Sequence, residues 1–242
     1  VGMLYPVLWI RMNQQGQTRM FKLMGLRLVS NLTEALGQMG HVYRKEIVAL
    51  YSPYFKPILQ QCGSVLEGPA SADSEICYIR TEALKVIMRL ILYFSKCLGT
   101  DDVSTMLGMV WNLFSTNLEV YQQTLVYCET TPENIVDDEG NEVGFEPMVI
   151  QLMEVILSIV EHKSVSKYVE AAIGELVYTV IGYMQVTMDQ IESWSTDINQ
   201  YIADEAEDVV SVRVSAETLL AELADSKKEK TLAVLQATAS KR

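Results

Sequence analysis

Carboxylates are the groups in this sequence whose number and spacing could do chemistry. Residues 129–208 hold eighteen acidic side chains and two basic ones, a local balance of −16. The whole chain of 242 residues has 31 Asp and Glu against 19 Lys and Arg, a net charge of −12. Like charges at this density repel one another, and a cation or a basic partner offsets that repulsion. The charge pattern therefore predicts recognition of a basic partner and disfavours a surface that binds nucleic acid.

The acidic residues concentrate in two predicted loops, a main acidic loop at residues 195–209 and a secondary acidic loop at residues 129–146. We expect the principal contact with a basic partner in the main loop, at Asp204, Glu205, Glu207 and Asp208. A second contact is expected in the secondary loop, at Asp137, Asp138, Glu139 and Glu142. The alternative is that both loops are solvated segments that keep the protein soluble.

Two residues that flank the main acidic loop are expected to hold it in place. We expect Trp194 to anchor the loop to the helix that precedes it, because a large ring with one N–H packs well and also finds a hydrogen-bond acceptor. Arg213, which follows the loop, is expected to pair either with its carboxylates or with an external group.

Other kinds of site receive little support. The segment around Gly140 offers oxygen ligands for calcium but lacks the spacing and the terminal bidentate Glu of an EF-hand loop. The two histidines, His41 and His162, are predicted to be structural, the second as a cation at a helix C-terminus. No spacing typical of zinc or of a redox pair links the four cysteines, which we expect to be reduced, buried thiols: Cys62, Cys77, Cys97 and Cys128. With no phosphate-binding loop or nucleophile motif, we expect no catalytic residue, no metal and no cofactor.

Helical periodicity dominates the elements that must position these groups. The clearest example is a stripe of apolar residues that recur every three or four positions: Val103, Leu107, Val110, Phe114, Leu118, Tyr121 and Leu125. Gly99 is expected to end the preceding helix, and Thr100 is expected to cap this one. Pro53 and Pro57 should kink or split a helix predicted over residues 42–66. Because no segment alternates strictly enough for a half-buried strand, we predict an all-α fold.

The predicted helices fall into pairs joined by short turns, at about residues 19–66, 75–128, 146–186 and 210–240. Several helices are apolar on two sides, so each pair needs neighbours on both sides. We therefore predict a HEAT-repeat α-solenoid over residues 1–242, a single array of antiparallel helix pairs stacked into a superhelix. A compact helical bundle would show the same stripes and is the alternative.

The ends and the apolar stretches of the chain also carry information. No stretch reaches the roughly 20 uncharged residues of a membrane span. The start has neither the Met nor the basic segment of a signal peptide. A chain that opens on Val1 in an apolar stretch and closes on a helix-like run is typical of an interior cut, so we expect a fragment of a longer array.

Trp194 and the main acidic loop belong to a longer pattern. It consists of Tyr183-Met184-Gln185, Gln190-Ile191-Glu192, Trp194, Asn199-Gln200-Tyr201, Asp204-Glu205, Val212-Arg213-Val214-Ser215-Ala216 and Leu219-Leu220. Upstream lie Asp137-Asp138-Glu139-Gly140 and Gly144-Phe145-Glu146. Together these segments closely resemble part of a receptor of the karyopherin-β (importin-β) family, in which a Trp and a Gln-containing element lead into an acidic loop. This chain departs from that pattern in its shorter, less acidic main loop and in Ile198, which stands where a Pro is usual.

The resemblance implies a fold and a function. Karyopherin-β receptors are HEAT-repeat solenoids that carry basic cargo, including core histones and ribosomal proteins, through nuclear pores and release it when Ran-GTP binds. For this chain the resemblance implies Ran GTPase, basic cargo and Phe-Gly nucleoporins as partners, without direct contact to nucleic acid or membrane. It also implies shuttling between cytoplasm and nucleus, and a position within the N-terminal half of a much longer receptor.

Two alternatives stay open at this point. One is a HEAT-repeat scaffold that assembles protein complexes without Ran or transport. The other concerns Trp194, which could form a slot for Phe-Gly repeats instead of packing inside the protein.

Overall fold

The helices account for most of the residues that the structure describes. The computed structural model describes residues 19–128, 134–204 and 210–239. The longer helices are α1 (Arg19–Met39), α2 (Arg44–Tyr51), α3 (Phe55–Leu66), α4 (Ser74–Phe94), α5 (Thr100–Tyr121) and α6 (Phe145–Glu161). They are followed by the single turn α7 (Lys163–Ser166) and by α8 (Ile173–Tyr183), α9 (Met188–Thr196), α10 (Ile198–Asp204), α11 (Val212–Ser226) and α12 (Lys228–Ala239).

Local signals in the sequence set several of these boundaries. The prediction that prolines split the helix over residues 42–66 is confirmed, because a 3₁₀ turn at Ser52–Tyr54 separates α2 from α3. The Asp73 carboxylate caps α4 by accepting the Ile76 N–H at 2.9 Å. The cap of α5 was assigned to the wrong residue, since the helix begins at Thr100 itself. Gly99 is the N-cap, and its N–H donates to the Asp102 carboxylate at 3.3 Å.

The helices stack in two rows, as the prediction of an all-α solenoid requires. In one row α1 packs on α4, α4 on α6, and α6 on α11. In the other row α3 packs on α5, α5 on α8, and α8 on α12. Between the rows, α3 contacts α4, α5 contacts α6, and α8 contacts α11. The contacts therefore join near neighbours along the array, as in a helical-repeat solenoid.

Aromatic residues join α5 to α8. The Tyr183 hydroxyl donates to the Phe114 carbonyl at 2.8 Å, and the Tyr183 ring stacks on the Phe114 ring with centroids 5.0 Å apart. The Tyr121 hydroxyl donates to the Gln185 carbonyl at 3.2 Å. Both tyrosines are buried, so these bonds fix the register of α5 against α8 in a water-poor interface.

The structure differs from the predictions in several places. The secondary acidic loop contains two short antiparallel strands, β1 (Ile135–Val136) and β2 (Glu142–Val143), where no strand was predicted. Part of the main acidic loop is the helix α10. The α5 stripe ends in a π-helical turn at Gln122–Val126.

The cysteines match their predicted state only in part. Cys62 and Cys77 are buried, but Cys97 and Cys128 are half-buried, and none of the four is joined in a disulfide within the described residues. None of the helices described is long and apolar enough to traverse a lipid bilayer.

Candidate interaction surface

Asp137 organises the tip of the hairpin formed by β1 and β2. One of its carboxylate oxygens, Oδ1, accepts the backbone N–H groups of Glu139 and Asn141, both at 2.9 Å. The turn closes through Gly140, whose φ of 85° lies in the left-handed region that favours glycine. The sequence Asp137-Asp138-Glu139-Gly140-Asn141 is rich in turn-forming residues, a signal that sequence analysis could have used to find this hairpin.

The other carboxylate oxygen of Asp137 docks the hairpin on the solenoid. Asp137 Oδ2 lies 2.8 Å from Arg27 Nη2 of α1, and the Asp137 side chain is only 3% exposed. The same Arg27 nitrogen donates to the Tyr78 hydroxyl of α4, which in turn donates weakly to Asp137 Oδ2 at 3.4 Å. Glu82 Oε2 lies 3.9 Å from Arg27 Nε. Asp137 is therefore held by residues of two earlier helices.

The pKa of the Asp137 carboxyl reflects this environment. Burial on its own raises the pKa, but the donors from Asn141 and Glu139 and the Arg27 guanidinium outweigh burial, so the pKa lies below its usual value. The alternative that the acidic loops are only solvated segments therefore does not describe Asp137, whose side chain is buried and bonded. No sequence signal pointed to Arg27 or Tyr78 as its partners.

The remaining carboxylates of the secondary acidic loop face solvent. Asp138, Glu139 and Glu142 are all exposed. The Asn134 amide donates to Glu142 at 3.4 Å, a long and weak hydrogen bond. The docked hairpin therefore presents three carboxylates outward while Asp137 holds it in place.

The two short helices α9 and α10 form a bend that we call the elbow, residues 188–204. A reciprocal capping box between Thr187 and Gln190 starts α9. Trp194 Nε1 donates to Asp204 Oδ2 at 2.9 Å, across the bend from α9 to the end of α10. The Trp194 ring meets the Tyr201 ring edge to face with centroids 4.9 Å apart. Trp194 thereby ties the start of the main acidic loop to the helix before it.

Asp204 and Arg213 also take part in this arrangement. The other oxygen of Asp204 accepts the Gln200 side-chain N–H at 2.6 Å, so both of its oxygens are bonded within the elbow. The Arg213 guanidinium lies 5.9 Å from the centre of the Trp194 ring and 3.1 Å from the Glu217 carboxylate one turn further along α11. Glu205, Glu207 and Asp208 lie outside the described residues.

Glu146 links the two acidic regions. Its carboxylate, in the first turn of α6, accepts the backbone N–H of Val212 at the start of α11. Burial raises the pKa of Glu146, that hydrogen bond opposes the rise, and the neighbouring carboxylates of Glu142 and Asp189 add to it. A buried carboxyl with a raised pKa was not anticipated from the sequence.

The surface also contains an apolar groove of about 350 Å³ between α5, α6 and α8. Its walls include Leu107, Gly108, Trp111, Ile156 and Leu176. Within the described ranges, no three His, Cys, Asp or Glu side chains are grouped closely enough to hold a metal ion. The described surface thus offers carboxylates and apolar side chains as its recognition groups.

Comparison with known proteins gives a partial similarity. No family model matches the chain. Importin-9 of Drosophila melanogaster is 27% identical to this chain over 139 residues, which are 56% of this chain and 14% of that protein. The chain therefore matches only a small part of the length of that relative. The similarity is weak and partial, and it is consistent with an importin-like helical segment.

Proposed function

We propose that this chain is a segment of a nuclear import receptor of the karyopherin-β type. The observation that carries the proposal is the similarity to Importin-9 over more than half of the chain. Two features of the molecule support it. The stacked helix pairs are the architecture that such receptors use, and the chain carries a net charge of −12, which suits basic cargo.

The proposed cargo is a basic protein, such as a core histone or a ribosomal protein. The main contact is proposed at Asp204, Glu205, Glu207 and Asp208, and the second at Asp137, Asp138, Glu139 and Glu142. Within these sets the roles differ, because Asp137 and Asp204 already bond inside the protein. Those two position the loops. Asp138, Glu139 and Glu142, which are exposed, attract Lys and Arg side chains over a distance of about the Debye length, ~10 Å at 0.1 M salt.

The remaining steps of transport complete the proposal. Ran-GTP binding releases the cargo, and Phe-Gly nucleoporins carry the receptor through the pore, so that it shuttles between cytoplasm and nucleus. The groove beside Trp111 fits a Phe side chain better than the surroundings of Trp194 do, because Trp194 already contacts Tyr201 and Arg213. The proposal involves no direct contact with nucleic acid or membrane.

A titration with a core histone dimer tests the cargo step. Neutralising the exposed hairpin carboxylates with Asp138→Asn, Glu139→Gln and Glu142→Gln should weaken binding about tenfold at 0.1 M salt, since each lost contact is worth about 1 kcal/mol or less. The matched control is the exposed set Glu161→Gln, Asp225→Asn and Glu229→Gln, which removes the same charge elsewhere and should change little. Equal affinities for all three proteins would refute the assignment of the surface.

The Ran step needs its own measurement. The same histone complex is challenged with Ran-GTP and, separately, with Ran-GDP. Release by the GTP form alone supports the transport proposal. Indifference to the nucleotide would favour the alternative, a HEAT-repeat scaffold that assembles complexes without Ran. That alternative is favoured by the internal bonding of Asp137 and Asp204, which gives both carboxylates a structural task.

A further inference from the structure

The elbow exposes apolar side chains as well as carboxylates. Ile198 is 69% exposed and Ile202 is 63% exposed, and Ile191 and Met188 are exposed too. Neither α9 nor α10 contains a single buried residue. Ile198 and Ile202 are four residues apart in α10, so they share one face of the helix.

The elbow is nevertheless a built structure. Helices of nine and seven residues are too short to persist alone in water. This pair is held by the bond from Trp194 to Asp204, by the edge contact of Trp194 with Tyr201, and by the capping box at Thr187. These contacts hold the two isoleucines in a fixed position without burying them.

The charge on the elbow itself has one sign, and Arg213, which lies against its Trp194 ring, is paired with Glu217. Residues 168–212 contain no Lys or Arg. Asp189, Glu192 and Asp197 are exposed on the elbow, beside the isoleucines in sequence. A purely apolar occupant would strip water from these carboxylates without replacing it, and a purely polybasic one would leave the isoleucines in water. The complementary occupant has both kinds of group.

We infer that the elbow binds a basic peptide segment that also carries bulky apolar side chains. Ile198 and Ile202 contact its apolar side chains, and Asp189 and Glu192 contact its Lys or Arg residues. The inference rests on the proposed function, because it names the kind of segment through which basic cargo is held. The apolar contact with Ile198 and Ile202 adds a contribution to the binding free energy that salt does not screen.

Two synthetic peptides of equal positive charge serve as probes. One carries Leu and Phe at helical spacing among its Lys residues, and the other has Ser in their place. Fluorescence anisotropy with the whole chain should give about tenfold tighter binding of the apolar peptide, since burying one large apolar side chain is worth about that factor. The preference should persist at about 1 M salt, where the Debye length is ~3 Å.

Two variants of the elbow separate its apolar and acidic parts. Ile198→Thr with Ile202→Thr keeps the β-branched shape and should abolish the tenfold preference while leaving the affinity for the Ser peptide unchanged. Asp189→Asn with Glu192→Gln should weaken both peptides alike and keep the preference. Val42→Thr, at a site 75% exposed in the turn before α2, is the matched control and should change neither affinity. Circular dichroism verifies that each variant keeps its helix content.

The outcomes distinguish this inference from the proposed function. An unchanged preference in the isoleucine variant overturns the inference even where histone binding and Ran release are intact. If the isoleucine variant changes only the sedimentation of the free protein and neither peptide affinity, the inference is also overturned, because the occupant of the elbow is then a second copy of this chain. Loss of the preference in a protein that ignores Ran supports the surface assignment and refutes the transport proposal.

Discussion

Replacing Asp137 with Asn should release the docked hairpin, residues 134–144, from the solenoid. The change removes the charge that pairs with Arg27 at 2.8 Å but keeps an oxygen that can accept the N–H groups of Glu139 and Asn141. The turn itself should therefore survive, while its attachment to α1 and α4 weakens. The main consequence is expected in the hairpin and not in the helices.

The size of the effect follows from what Arg27 retains. Removing one partner of a fully buried ion pair typically costs about 3–5 kcal/mol. Arg27 is 17% exposed, Glu82 remains 3.9 Å from its Nε, and the Tyr78 hydroxyl still accepts from it. We therefore expect a cost of about 2 kcal/mol, below the fully buried range, which corresponds to about thirtyfold faster exchange of the hairpin amides in the fast-reclosing limit.

Hydrogen exchange read by mass spectrometry measures this directly. The matched control is Asp138→Asn, which removes the same charge from the exposed neighbour and should leave exchange at residues 134–144 nearly unchanged. The pH dependence supplies a second test. Because the pKa of Asp137 is lowered in the folded state, its stabilisation is complete above about pH 4, the usual Asp pKa, and is lost as the pH falls through the lowered value.

Two results would refute this reasoning. Equal protection in the Asp137→Asn and Asp138→Asn proteins at neutral pH would mean that the pair with Arg27 does not hold the hairpin. A difference between the two proteins that grows as the pH falls would contradict the direction of the pKa shift.

Two further predictions concern stability and are read from urea unfolding. Gly108→Ala should stabilise the protein by about 1 kcal/mol, since Gly108 is an exposed position of α5 where a Cβ meets nothing within 4 Å. Gly37→Ala should destabilise it by about 1–3 kcal/mol, because the added Cβ would overlap the Tyr93 ring. Equal shifts for the two variants would contradict the packing. Glu146→Gln should stabilise the protein at neutral pH, because the raised pKa of Glu146 means that the ionised carboxylate is unfavourable in the folded state. The gain in stability should vanish below about pH 4, where the carboxyl is protonated in both the folded and the unfolded state.

Much of the fold could be predicted because its information is local. The stripe from Val103 to Leu125 repeats with the helical period, and Pro53 and Pro57 affect the helix in which they lie. Both features could therefore be recognised in the sequence. The hairpin was missed because two residues per strand are too few to show alternation.

For the candidate surface, the sequence predicted the acidic composition but not the contacts. The acidic clusters are visible in the sequence, but the pairing of Asp137 with Arg27 joins residues 110 positions apart and has no periodic signature. The same holds for the hydrogen bond from Val212 to Glu146. The anchoring role of Trp194 could be predicted because its partner Asp204 is only ten residues away. The binding roles of Asp204, Glu205, Glu207 and Asp208 stay predictions.

The two tyrosine hydroxyls between α5 and α8 have a mechanical consequence. The resistance of a stack of helices to bending depends on the contacts between neighbouring helices. The Tyr121 hydroxyl binds the Gln185 carbonyl, and the Tyr183 hydroxyl binds the Phe114 carbonyl. Sliding α5 against α8 would therefore break both hydrogen bonds and the ring stacking together. Bending of the helix stack should therefore occur mainly at other junctions, and α5 and α8 should move together as one rigid segment.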